Sequence, residues 1–174
     1  MQILAYVFNL LGLLSMILAS TVGGTKMRRI LLFSFFGNLL VGFSYIFDGT
    51  GINGAASCFL GALQTIVSYF FQVKKMQTPK WVVAIYALSF VGVNLWVAGE
   101  ISIPCVIAIV ATLAFVMGII QSRGAMYRFW TLFNMLLWGV YDIVTQSYPA
   151  LITHTVLFAF TAIGMIINDR KKKA

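Results

Sequence analysis

Long apolar runs alternate with short polar or basic connections along the whole chain. Each run has the length of a bilayer crossing, which takes about 20 helical residues for an apolar core of about 30 Å. The pattern predicts seven spans, at 3–22, 30–47, 52–73, 81–98, 101–121, 129–146 and 149–167. Two connections are tight turns, Asp48-Gly49-Thr50-Gly51 and Gln146-Ser147-Tyr148-Pro149, with Pro149 where a helix accepts it in its first turn. Each turn joins two spans that follow a long basic loop, so the spans group as three, one and three. The expected architecture is an all-α polytopic membrane protein with seven transmembrane helices. Residues 1–75 form a first three-helix bundle, 76–100 a linker transmembrane helix, and 101–174 a second three-helix bundle with a basic tail.

The two groups read as an internal repeat. A shift of 96 positions superposes Phe33 on Phe129, Asn38 on Asn134, Leu40 on Leu136, Tyr45 on Tyr141 and Thr65 on Thr161. With an odd number of spans between them the copies share one orientation, so the repeat is parallel and its axis runs along the membrane normal.

Composition agrees with the pattern: 61% of residues are hydrophobic and 9% charged, against about 25% charged in soluble domains. The net charge of +8 raises a nucleic-acid partner, which the distribution of charge argues against. Lys26, Arg28 and Arg29 follow the first span, Lys74, Lys75 and Lys80 the third, Arg123 and Arg128 the fifth, and Arg170 to Lys173 the seventh. All basic residues are thereby expected on one side. The positive-inside bias makes that side cytoplasmic, with the amino terminus outside and the carboxyl terminus inside. The tail is expected as an anchor at anionic headgroups. The first span reads as retained, because its basic cluster follows it, the reverse of a signal peptide. Cys58 and Cys105 fall inside spans, giving neither a disulfide framework nor metal-ligand spacing. The glycines assemble no phosphate loop, and no nucleophile or metal cluster suggests an enzyme. No cofactor is expected.

Polar residues recur at helical spacing on four spans. Asn134, Trp138, Tyr141 and Asp142 share a stripe on the sixth, and Asn38, Gly42 and Tyr45 the equivalent one on the second. Asn53, Ser57, Gly61, Gln64 and Ser68 line the third, and His154, Phe158, Thr161 and Asn168 the seventh. We take Trp138, His154, Asn134, Tyr141, Asn38, Tyr45, Ser57 and Gln64 as candidate substrate-binding residues. For Ser57, Gly61, Ser68 and Thr161 the preferred reading is as small residues that let membrane helices pack closely. Trp138 lies about 14 Å from the turn, deeper than the interfacial belt where Trp usually sits. Asp142 and His154 flank the turn at equal depth, within reach of each other. A carboxylate inside a span costs about 2.5 to 3.5 kcal/mol and marks a functional site by default. The two form a candidate proton-linked pair, the alternative being a headgroup-level Asp and a His bonded to a carbonyl.

Trp138-Gly139-Val140-Tyr141, on the second helix of a group, resembles the Trp-x-x-Tyr signature of the SWEET and PQ-loop superfamily of solute carriers. Gly12 to Arg29, Tyr45 to Gly51, Lys80 to Ile85 and Ile103-Pro104 to Arg123 resemble, more closely, the YgjV-type bacterial inner-membrane proteins. The superfamily resemblance implies a central pocket and alternating access. His154 stands where that superfamily has an Asn, and prolines resembling its hinges are missing from the first, second and sixth spans. The expected function is a carrier or facilitator of a small polar solute in the inner membrane, with the lipid bilayer and the solute as partners and self-association left open. The alternative is a non-transporting sensor or assembly component that uses the bundle only for packing.

Overall fold

The computed structural model describes residues 2–21, 26–48, 52–146 and 148–169, the side chains at 2, 48, 52–54, 148–150 and 169 excepted. The turn 49–51, Ser147, the side chains of Asp48, Asn53 and Pro149, and the tail from Arg170 lie outside the described residues. Among those residues every regular element is an α-helix: α1 (Gln2–Thr21), α2 (Met27–Asp48), α3 (Ile52–Val73), α4 (Lys80–Ala98), α5 (Ile103–Ile119), α6 (Gly124–Val144) and α7 (Tyr148–Asp169). Stretches of α1, α2, α3, α4 and α7 are long and apolar enough to cross a membrane. The apolar α5 has 17 residues, about 25 Å of helix. Arg128 and Asp142 interrupt the apolar run of α6. A shift of 96 positions carries the bounds of α3 onto those of α7, and the end of α2 onto the end of α6.

Helix ends follow local chemistry. The Ser102 side chain caps α5 by accepting from the Cys105 amide at 3.4 Å, and Pro104 occupies the first turn. Gly99, at φ 69°, ends α4 and donates to the Leu95 carbonyl. Beyond α3 a lysine takes the left-handed position: Lys75 has φ 56°, and the Met76 amide reaches back to the Phe71 carbonyl at 2.9 Å.

Two helices start earlier than the apolar runs predict, α2 at 27 rather than 30 and α6 at 124 rather than 129. Their arginines lie within helix because they serve as caps for other helices. The Arg28 guanidinium donates to the Gln72 and Val73 carbonyls at 3.1 and 3.2 Å, at the carboxyl end of α3. Arg128, expected in a solvated connection, sits in the second turn of α6 and is fully buried. Its Nε donates to the Ser20 carbonyl at 2.9 Å, in the last turn of α1. A rule that ends spans at the first charge misses a charge used inside the fold.

Each helix packs on its chain neighbours, and α7 packs on α1, so the set closes into a ring. α4 fits against both α3 and α5, which also touch each other. Large side chains fill the basic-end half: Ile30 and Leu31 of α2, Val116 and Ile119 of α5 and Tyr127 of α6 join Val82, Tyr86 and Phe90 of α4. Ile3, Leu88, Trp96 and Ile152 face outward, as a lipid-facing surface requires. Polar contacts cross the interior. Ser34 of α2 and Tyr127 of α6 share a hydrogen bond of 2.6 Å, and Thr161 of α7 donates to the Ser20 hydroxyl at 2.9 Å. The Asn168 amide donates to the Thr21 carbonyl at 2.9 Å.

Gly164 makes the α1–α7 contact possible, since a Cβ there would lie 2.1 Å from the Ser20 carbonyl oxygen. Gly164→Ala is therefore expected to lower the melting temperature of detergent-purified protein by the cost of overpacking, about 1–3 kcal/mol. Gly92 has nothing within 4 Å of such a Cβ, so Gly92→Ala is expected to leave stability unchanged or raise it by up to about 1 kcal/mol. Equal shifts in the two variants would contradict the close approach.

Candidate functional site

Four of the candidate residues come together at the end of the molecule opposite the basic loops. Trp138, Tyr141 and Asp142 share a face of α6 near its carboxyl end, and His154 lies in the second turn of α7, so the α6–α7 hairpin brings them together. His154 Nδ1 and Asp142 Oδ2 are 2.6 Å apart. The carboxylate is 2% exposed and the imidazole 21%. The indole of Trp138 stacks on the imidazole, with ring centres 5.9 Å apart and planes 16° from parallel, and Tyr141 meets the indole edge-on at 5.2 Å.

The chemistry of this cluster follows from its hydrogen bonding. An ionised carboxylate only accepts, so the Asp142 contact places a proton on Nδ1 and leaves Nε2 to exchange a proton or bind a polar group. The indole face suits the apolar side of a sugar ring or a heterocycle. The cluster thus combines a proton site with a flat apolar wall.

The remaining candidates have other neighbours. Asn134, 3% exposed, donates to the Ala111 carbonyl of α5 at 2.6 Å. Asn38 donates to the Ser34 carbonyl of its own helix at 2.9 Å, with Gly61 of α3 beside its side-chain oxygen. Gln64 faces α4, where its amide donates to the Tyr86 carbonyl and the Ser89 hydroxyl, both at 3.2 Å. The Tyr86 hydroxyl donates back to the Gln64 carbonyl at 3.0 Å, close to Ser68. Ser57 is half-buried on α3, and Tyr45 half-buried on α2. The polar stripe of α3 from Gln64 to Ser68 thus packs on α4. Arg128 and the Ser34–Tyr127 pair were missed by the sequence reading, because helical periodicity gives a residue's face and not its partner on a distant helix. One signal for Arg128 existed: it stands five positions beyond Arg123, where a helix start at Gly124 leaves it inside the helix.

A double-mutant cycle measures the pair. Asp142→Asn and His154→Gln, alone and combined, are expected to show a coupling of about 0.5–3 kcal/mol in detergent unfolding. Strict additivity would mean that the two side chains do not interact.

The comparisons with known proteins bear on family. No curated protein and no solved structure matches the chain. A family model described as Imp-YgjV, bacterial inner membrane protein, matches residues 6–172, and the chain belongs to that family of bacterial inner membrane proteins.

Proposed function

We propose that the protein is a carrier or facilitator for a small polar solute, working by alternating access between two three-helix bundles, residues 1–75 and 101–174, on either side of the linker span 76–100. The observation that carries this reading is the Asp142–His154–Trp138 cluster: an ionisable pair near the turn of a helical hairpin, its carboxylate buried, with a flat aromatic wall beside it. Ionisable residues inside spans mark solute and proton pathways by default. The Trp-x-x-Tyr resemblance to the SWEET and PQ-loop carriers points the same way. The solute is expected to be neutral or weakly charged, because the cluster pairs its one acid with its one base.

The second reading, a non-transporting sensor or assembly component, is favoured by Asn134 and Gln64, which spend their amides on neighbouring helices. A metabolite panel separates the two. A solute at about 100 times its dissociation constant adds about 2.7 kcal/mol to stability. Under the carrier reading, one class of neutral polar solute raises the melting temperature of wild type, Trp138→Ala abolishes the rise, and the same solute is taken up by proteoliposomes. A solute that binds but is not taken up supports a sensor, and a panel without any shift or uptake overturns the carrier reading.

Orientation is tested separately. With the amino terminus outside, the Gln146 turn faces the periplasm and Lys75 the cytoplasm. In a chain whose two cysteines are replaced by alanine, Gln146→Cys is expected to react with a membrane-impermeant maleimide in intact spheroplasts, and Lys75→Cys only after lysis. The reverse pattern would invert the topology.

A further inference from the structure

The basic end of the molecule holds a cleft of about 1220 Å³ between the ends of α2, α3, α4 and α5. It lies about 20 Å along α6 from Trp138, a separation set by the helix rise. Lys26, Arg28, Arg29, Lys75 and Lys80 all line it, and among the described residues no carboxylate does. Arg28 is held in place by its two bonds to the end of α3, which still leave guanidinium donors free. Among the described residues no ion pair neutralises these five cations. Met27, Val83, Met117 and Ile120 supply an apolar wall to the same cleft.

Two features separate this from the general surplus of positive charge at one membrane face. The cations come from two connections, 26–29 and 75–80, and converge on one concavity. Lys75 also holds the left-handed position after α3, at φ 56°, where glycine carries no steric penalty. The amino-terminal ends of α2 and α4 meet the carboxyl ends of α3 and α5 at this cleft, so the helix dipoles offset one another and the side-chain cations set the sign of the field.

We propose that this cleft binds a phosphate-bearing anion, with the phosphate held by Arg28, Arg29, Lys75 and Lys80 and an apolar portion resting on Met27 and Met117. Arginine forks suit phosphate oxygens, and basic pockets between transmembrane helices accept anionic headgroups. The shared chemistry admits two sources, the headgroup of an anionic phospholipid or a soluble phosphate ester. This site is independent of the carrier reading and of the Trp138 cluster.

The test compares melting temperatures of the full chain in nanodiscs of phosphatidylcholine, with and without phosphatidylglycerol, and in detergent with glycerol 3-phosphate at matched ionic strength. Occupancy at about 100 times the dissociation constant is expected to raise the melting temperature by about 5 °C. A rise only with phosphatidylglycerol assigns the site to a lipid, and a rise with glycerol 3-phosphate to a soluble ester. Lys75→Gly and Arg29→Gln are expected to lose most of the rise, whereas Arg123→Gln, the same change of charge outside the cleft, keeps it. Lys75→Gly relieves the left-handed strain, so its unliganded melting temperature is expected to be equal or higher; loss of the ligand effect then cannot come from misfolding. No rise with either probe, or an equal loss in Arg123→Gln, overturns the proposal.

Discussion

The carboxyl end of α1 is the constraint on which the closed arrangement depends. The last carbonyls of a helix have no partner within it, and in an apolar medium each costs several kcal/mol if left bare. Here the Ser20 and Thr21 carbonyls receive Arg128 of α6 and Asn168 of α7, while Thr161 bonds the Ser20 hydroxyl and Gly164 lets the backbones meet. The contacts that satisfy the first helix therefore come from the last two, which closes the ring. They also explain a buried arginine in so apolar a molecule. Its charge is offset by the negative end of a helix dipole as well as by hydrogen bonds.

From that clamp outward the molecule is electrically two-sided. At one end five cations meet in a cleft that no carboxylate of the described residues lines. At the other a single carboxylate and a single imidazole touch under an indole. Between them the basic-end half is filled by large side chains, including the Tyr127 that bonds Ser34 across the ring.

Polar residues inside the helices divide into those that reach a neighbouring helix and those that gather in the cluster. Gln64 and Asn134 carry the same sequence signal as Trp138 and His154, a polar or amphipathic residue at helical spacing in an apolar run. Their amides differ in having a carbonyl of the adjacent helix within reach, on α4 and α5 respectively. Spacing along one helix says nothing of that. The Asp142–His154 contact was legible because both residues flank one tight turn, which fixes their relative depth whatever the rest of the fold does.

The sequence by itself determined what depends on local chemistry and on the bilayer: seven helices, most of their bounds to within two residues, the 96-residue shift that carries the bounds of α3 onto those of α7, and the hairpin that joins Asp142 to His154. A membrane solvent makes this possible, because each span must satisfy its own backbone and so declares itself as an apolar run of fixed length. Only the tertiary structure decided where Arg128 and Arg28 act, that Gln64 bonds to α4, and that α7 returns to α1. Those outcomes rest on which helix end or carbonyl comes within 3.5 Å of a side chain, a property of the packed assembly that no periodicity along the chain encodes.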